Sequence, residues 1–205
     1  MIANNYIEKP GAEFEDGIGI CVGYSRNLLL DHNEVNDTPY TGISVGWGWS
    51  AAGYSFKNTI SHNAVGFCMK VLHDGAGIYT LGQQGDAQNK TRWFGNYVHH
   101  IDNKGQGLYP DEGSAFMEIR DNVVGKVGAN WVNIWTNRIH DIEVFNNFSD
   151  TTKVKNSGTN CIVRDNNETI SLDKLPEAAS AIVKKAGLEP EFTDIKKHAR
   201  GVIIK

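Results

Sequence analysis

The chain has 205 residues, of which 40% are hydrophobic and 21% are charged, with a formal net charge of −4 at pH 7 and a sequence pI near 6.0. This balance gives no reason to expect nucleic acid or an anionic membrane as a partner, because both favour basic surfaces. No run approaches the roughly 18 apolar residues that a membrane helix needs. The cysteines, Cys21, Cys68 and Cys161, are far apart and lack CxxC spacing, so the sequence predicts neither a disulfide framework nor a structural zinc site.

An asparagine motif recurs along the chain. In most copies valine or isoleucine follows two residues later, and successive copies are 19 to 33 residues apart. Repeats of this length, built from short β-branched segments broken by glycine, predict a β-solenoid rather than a helical repeat. Asparagine tolerates a left-handed backbone, and its amide can hydrogen-bond to the same side chain in neighbouring coils, so we predict an asparagine ladder. Its members are Asn5, Asn33, Asn63, Asn96, Asn122, Asn147 and Asn166.

Two glycine-led segments, 74–82 (DGAGIYTLG) and 105–113 (GQGLYPDEG), mark equivalent strands of consecutive coils. Side chains alternate between the faces of a strand, so Ile78 and Leu108 are predicted to point into the core. The outward residues of both segments would share one face of the solenoid, where chemistry is expected. These residues are Gly77, Tyr79, Gly107, Tyr109 and Asp111.

The next coil and one insertion supply further aromatic residues. In the segment 131–135 (WVNIW) the aliphatic residues suit the core, and alternation places Trp131 and Trp135 on the outside. The glycine-rich insertion 47–54 carries two more tryptophans, Trp47 and Trp49. Insertions of this kind collect on one face of a solenoid and commonly form its binding wall.

The pattern changes near residue 170. Apolar residues then recur at helical spacing, Asp173 is a suitable N-cap and Gly187 can end the helix. We expect this helix and the final segment 201–204 to cover or flank the open end of the solenoid, whose strand edges would otherwise be unpaired. The predicted regions are parallel β-helix coils over residues 1–170 and a helix with its cap over residues 171–205.

Together these features resemble a known group of proteins. The asparagine ladder and the segments 74–82, 107–114 and 186–192 are similar to the C-terminal part of right-handed parallel β-helix proteins of the pectate-lyase-like superfamily. More narrowly, they resemble bacterial β-helix glycoside hydrolases, including families that act on fucosides, xylosides and xylan. The resemblance covers nearly the whole chain and implies an all-β fold, a right-handed parallel β-helix with a short C-terminal α-helix.

The resemblance also implies a function. It implies an enzyme that hydrolyses glycosidic bonds in a polysaccharide or oligosaccharide with carboxylates on the outer face of the helix, and no cofactor is predicted. Such proteins are exported, so a secreted or periplasmic location is expected. They are usually longer, and residues 1–7 look like the middle of a coil, so we expect that an N-terminal β-helix segment is missing.

Three acidic residues are the catalytic candidates: Asp74, Asp111 and Glu112. Hydrolysis needs two carboxyls ~5 Å apart for retention or ~6.5–9.5 Å apart for inversion, and neighbouring coils stack at about 4.8 Å. On a straight strand, however, Asp74 and Asp111 would lie roughly 23 Å apart. Asp16 occupies the same place before its glycine as Asp74 does, so simple turn chemistry is the alternative explanation for Asp74. Glu112 could replace Asp111, because a one-residue register slip exchanges the faces.

Aromatic side chains beside an acid suit the apolar face of a sugar and can raise a carboxyl pKa by desolvation. Aromatic stacks on a solenoid can also serve packing alone, which is the alternative for those on strands. For indoles in a glycine-rich insertion, binding is the more natural role. The predicted substrate-binding residues are Tyr79, Tyr109, Trp131, Trp135, His73, Trp47 and Trp49.

Two histidines, His32 and His62, precede ladder asparagines and are predicted to stack as a structural pair. No third ligand lies at a sensible spacing, so no metal site is predicted.

Two rival functions remain open. A polysaccharide lyase would need a basic residue and usually calcium; Arg92 and Arg120 are available, but no calcium-type acidic cluster is evident. A non-catalytic glycan-binding or structural β-helix fragment is the other alternative. Catalysis predicts that the three candidate acids face one groove together, whereas scattered acids favour binding.

Overall fold

The computed structural model describes residues 1–49, 54–102 and 104–199. Its strands are short, two to six residues each, and its helices are confined to the C-terminal part. The strands are β1 (Ile2–Ala3), β2 (Tyr6–Glu8), β3 (Ile20–Val22), β4 (Leu29–Asp31), β5 (Glu34–Asn36), β6 (Ile43–Val45), β7 (Thr59–Ser61), β8 (Ala64–Cys68), β9 (Ala76–Thr80), β10 (Thr91–Phe94), β11 (Tyr97–Ile101), β12 (Gln106–Pro110), β13 (Ala115–Arg120), β14 (Val123–Val127), β15 (Val132–Ile134), β16 (His140–Phe145), β17 (Phe148–Ser149), β18 (Val154–Asn156) and β19 (Ile162–Arg164). The helices are α1 (Glu177–Lys185), a 3-10 turn (Pro190–Phe192) and α2 (Ile195–Ala199).

Every third strand joins the same sheet, which makes the chain a parallel β-solenoid of about six turns. The first sheet has the order β1-β4-β7-β10-β13-β16-β19, the second β2-β5-β8-β11-β14-β17 and the third β3-β6-β9-β12-β15-β18. All pairings between these strands are parallel. The prediction of an all-β parallel solenoid with a short C-terminal helix is confirmed.

The core consists of rows of equivalent residues from successive coils. In-register pairing aligns Ile43 with Ile78 and Ile78 with Leu108, and all three are fully buried, as predicted for the last two. The first sheet contributes a parallel row that contains Ile60 and Trp93. Burial of such side chains supplies most of the favourable free energy of folding.

The predicted asparagine ladder is confirmed, and it follows one corner of the solenoid. Asn96 donates from its backbone N–H and from its side-chain amide to the Asn122 Oδ1, at 3.0 and 2.9 Å, and it accepts the same pair of bonds from Asn63. The left-handed residue of each turn is the one before the ladder asparagine, for example His62 with φ +49°. The expectation that the asparagine itself adopts this conformation is therefore wrong.

The C-terminal segment lies along the side of the solenoid. Ala179 of α1 and its neighbours pack against Val123, and Gly187 donates its N–H to the His62 carbonyl at 2.8 Å. Farther along, Glu189 hydrogen-bonds with Asn4 in the first coil. We call residues 170–199 the strap, because they run from the last coils back to the first.

The strap differs from the prediction in two ways. We expected it to cover or flank the open end, but its contacts follow the length of the solenoid. Helix α1 begins after Pro176 and not after Asp173, whereas it does end before Gly187, which has φ +90°. The predicted cap segment 201–204 lies outside the described residues. Among the described residues, no helix is both long and apolar enough to cross a membrane.

Candidate active site

The outward face of the third sheet forms the floor of a cavity of about 520 Å³. Strand register aligns Cys21 with Ser44 and Ser44 with Tyr79, and these outward side chains all border the cavity. Asp16, Asp74 and Asp111 also line it. Two of the three predicted catalytic acids, Asp74 and Asp111, therefore share one cavity.

Asp111 is almost fully buried, with 8% of its surface exposed, and it accepts three hydrogen bonds. The Tyr79 hydroxyl donates to its Oδ2 at 2.7 Å, and the Trp135 indole N–H donates to its Oδ1 at 2.6 Å. The backbone N–H of Glu112 donates to the same Oδ1 at 2.7 Å. Donors from three successive coils therefore fix the orientation of this carboxylate.

A backbone bend brings Asp74 to the same cavity. Its φ of +58° is left-handed, so the chain turns sharply before β9 and does not extend the strand. The separation of roughly 23 Å expected for straight strands is therefore wrong. The Tyr109 side chain lies close to both Asp74 and Asp111.

The surroundings of Asp74 favour its protonated form. Burial raises the pKa of this carboxyl, the negative charge of Asp111 raises it further, and the hydrogen bond from Tyr109 opposes the shift. Burial and the neighbouring Asp111 also raise the pKa of both Tyr79 and Tyr109, so each phenol keeps its proton as a donor.

Tyr40 belongs to this site, and sequence reasoning did not identify it. Its hydroxyl donates to the backbone carbonyl of Asp74 at 2.8 Å, which supports the left-handed bend. It also lines the cavity, and burial raises the pKa of its phenol. The available signal was its position directly before the glycine-led strand of the preceding coil, next to Thr41 and Gly42.

Two exposed indoles form one wall of the cavity. Trp47 and Trp49 are 44% and 62% exposed and meet edge to face with ring centroids 5.3 Å apart. Gly82 permits the close approach of their loop, because a Cβ there would lie 2.1 Å from the Gly48 carbonyl oxygen. Residues 50–53 of the predicted insertion lie outside the described residues.

The remaining predicted site residues have different surroundings. Trp131 is fully buried and donates its indole N–H to Glu168 at 2.9 Å, so the prediction that it lies on the outer face is wrong. It precedes β15, and strand alternation does not extend to it. Glu112 forms an ion pair with Arg138. His73 is exposed, and neither His73 nor Glu112 is among the described residues that line the cavity.

The predicted stack of His32 on His62 is present, with ring centroids 4.9 Å apart and planes 15° apart. The expectation that no third ligand is near is wrong, because Asp31 lies 2.9 Å from the His62 Nδ1 and 4.0 Å from the His32 Nε2. Near-parallel rings, however, do not direct their nitrogens at one point as a metal ion requires. His32 donates from Nδ1 to the Gly187 carbonyl at 2.9 Å, so the trio is better explained as a support for the strap.

One solved structure is similar to this chain. It is described as "Glycoside hydrolase" and matches with a TM-score of 0.68 and 28% sequence identity over 94% of the chain. The match covers 28% of that protein, so this chain spans little more than a quarter of its length. No protein-family profile matches the chain, and no curated protein matches it.

Proposed function

We propose that this protein hydrolyses glycosidic bonds in a polysaccharide or oligosaccharide, with Asp74 and Asp111 as its two catalytic carboxyls. The observation that carries the proposal is their joint presence in the lining of one cavity. The similarity to a glycoside hydrolase supports the same chemistry. Polymeric glycans lie outside the cytoplasm, so we further propose that the protein acts there.

The two carboxyls take different roles because their surroundings differ. The raised pKa of Asp74 favours the protonated form, which a general acid needs in order to donate to the leaving glycosidic oxygen. Asp111 is held rigidly by three donors and is placed to act as the nucleophile, or as the base that activates water. Trp47 and Trp49 offer flat apolar surfaces on which a sugar ring can stack.

The rival functions are less well supported. A lyase needs a basic residue at the site, but Arg92 pairs with Glu118 at 3.0 Å and Arg120 pairs with Asp121, both on the first sheet. None of the described residues that line the cavity is Lys, Arg or His. A purely binding protein could use the same indoles, but it would have no need for a buried acid beside a second acid of raised pKa.

The test is hydrolysis of aryl fucosides, xylosides and galactosides by the wild type, Asp111→Asn and Asp74→Asn. We expect Asp111→Asn to lose about 10²–10⁴-fold in kcat, since one catalytic group typically contributes that much. Asp74→Asn should lose a similar factor with poor leaving groups and much less with dinitrophenyl glycosides, whose leaving group needs little protonation.

Asp173→Asn is the matched control, because this acid is exposed on the strap and is not among the described residues that line the cavity. It should keep wild-type activity, and circular dichroism should show all four proteins folded. Full activity in Asp111→Asn, or no hydrolysis of any glycoside by the wild type, would overturn the proposal.

A further inference from the structure

We propose that Asp16 is a specificity-determining residue of the cavity. In this proposal, which rests on the proposed function, its carboxylate accepts hydrogen bonds from the sugar unit next to the one cleaved. It thereby selects neutral sugars over uronic acids at that position.

Strand register places Asp16 two coils before Asp74 and three coils before Asp111. Ile20 pairs with Ile43, and Ile43 pairs with Ile78. Asp16 precedes Ile20 by the same number of residues as Asp74 precedes Ile78, so the two acids have equivalent sequence positions, and both line the cavity. Two strand spacings put them about 10 Å apart. That exceeds the ~5–9.5 Å separation of a catalytic pair, so Asp16 is suited to contact an adjacent sugar and not the cleaved bond.

The carboxylate of Asp16 is free to accept these hydrogen bonds. It is exposed and lines the cavity, and among the described residues it has no hydrogen-bond or ion-pair partner. Asp111 accepts three protein donors and Glu112 pairs with Arg138, so both of these acids are already engaged. An ionised carboxylate can only accept hydrogen bonds, and each sugar hydroxyl group can donate one.

The cavity around Asp16 suits an uncharged sugar. Its floor next to the catalytic residues carries the small side chains of Cys21 and Ser44, and Trp47 and Trp49 stand beside it. The lining carries three carboxyl groups, and among the described lining residues there is no cation to balance them. A uronate would therefore meet like charges without compensation, which disfavours its binding.

Binding without turnover provides the first test. In an Asp111→Asn background, calorimetry measures binding of xylotriose, cellotriose, galactotriose and trigalacturonate. We expect at least one neutral trisaccharide to bind better than trigalacturonate, and Asp16→Ala to weaken that binding about 10- to 100-fold, the range for a hydrogen bond to a charged group. Asp16→Lys should reverse the preference. Glu13→Gln is the matched control, because Glu13 is exposed on the same loop but is not among the described lining residues.

Kinetics separate this inference from the proposed function. For the sugar that the wild type cleaves, Asp16→Ala should raise KM for the trisaccharide about tenfold or more. It should change kcat and KM for the aryl monoglycoside much less, because that substrate lacks the adjacent sugar unit. If hydrolysis depends on Asp74 and Asp111 while Asp16 variants bind and react like the wild type, this inference fails and the proposed function stands. If no glycoside is cleaved but binding depends on Asp16, hydrolysis fails and the binding role stands. Tighter binding of trigalacturonate, or no binding of a neutral trisaccharide, would also overturn the inference.

Discussion

At the scale of single residues, the Tyr109 hydroxyl affects the pKa of Asp74. Tyr109 is buried, with 6% of its surface exposed, and it lies close to both Asp74 and Asp111. Its hydrogen bond stabilises the charged form of Asp74 and so holds the pKa of that carboxyl below the value that burial and Asp111 alone would give.

Removing this hydroxyl should shift the pH dependence of hydrolysis. In Tyr109→Phe the pKa of Asp74 rises further, because a donor to its charged form is lost. A general acid works only while protonated, so activity falls as pH rises through this pKa, and the alkaline limb of the kcat/KM profile should move to higher pH. Tyr79→Phe is the control: it loses a hydrogen bond to Asp111 and should leave the alkaline limb in place. An unshifted limb in Tyr109→Phe would argue against Asp74 as the acid.

Alternation along a strand was enough to predict some site residues and failed for others. Tyr79, Tyr109 and Asp111 lie on or directly after the regular strands β9 and β12, where the period of two is strict. Asp74 and Trp131 precede their strands, so their positions depend on backbone turns that periodicity does not describe. The left-handed φ of Asp74 brings it to the cavity, while Trp131 turns into the core.

At the scale of elements, the asparagine ladder shows why the fold could be predicted well. Each interior asparagine must meet the donors and acceptors of two neighbouring coils, so its sequence position marks one corner of every coil. Asn96 is fully buried, and its amide donates to both Asn122 and the Ile60 carbonyl while its oxygen accepts two bonds from Asn63. Such complete pairing leaves little freedom in register.

Breaking the ladder at Asn96 should therefore be costly. Asn96→Ala removes the acceptor of the buried Asn63 backbone N–H and the amide donor to the Ile60 carbonyl and to Asn122, whose Oδ1 keeps only the backbone N–H of residue 96. We expect a loss of about 3–5 kcal/mol in the free energy of unfolding. Urea denaturation measures this loss. Asn5→Ala is the matched control at the exposed end of the ladder, where water can replace the lost bonds, and it should cost less than about 1 kcal/mol. Equal losses at both positions would show that the ladder adds nothing beyond local turn preference.

The position of the strap could not be predicted from the same signals. Helical periodicity in residues 171–187 reveals an apolar face, but it does not show which surface that face covers. The deciding contacts are individual polar pairs, such as Glu189 with Asn4 and Lys196 with Glu34, which join residues more than 150 positions apart. No local pattern in the sequence links such residues.

At the scale of the whole molecule, the strap connects the first coils to the last, and Gly187 lies close against the solenoid within it. Its backbone bonds to His62 and His32, its φ is +90°, and a Cβ there would lie 3.2 Å from the Glu34 carboxylate and 3.3 Å from the Ala64 Cβ. Gly187→Ala should therefore cost more than the roughly 1–2 kcal/mol of a left-handed non-glycine residue, because the strap or the neighbouring Glu34 and Ala64 side chains must also shift by a few tenths of an ångström.

Gly48→Ala separates these two contributions. Gly48 also has positive φ, +114°, but a Cβ there would meet no atom within 4 Å, so this variant carries backbone strain without crowding. Urea denaturation should show the larger loss for Gly187→Ala, and hydrogen exchange should become faster in α1 and β2 of that variant alone. These two elements are far apart in sequence, so faster exchange in both would follow from loosening the strap that joins them. Equal losses in the two variants, with exchange in β2 unchanged, would show that the first coils are stable without the strap.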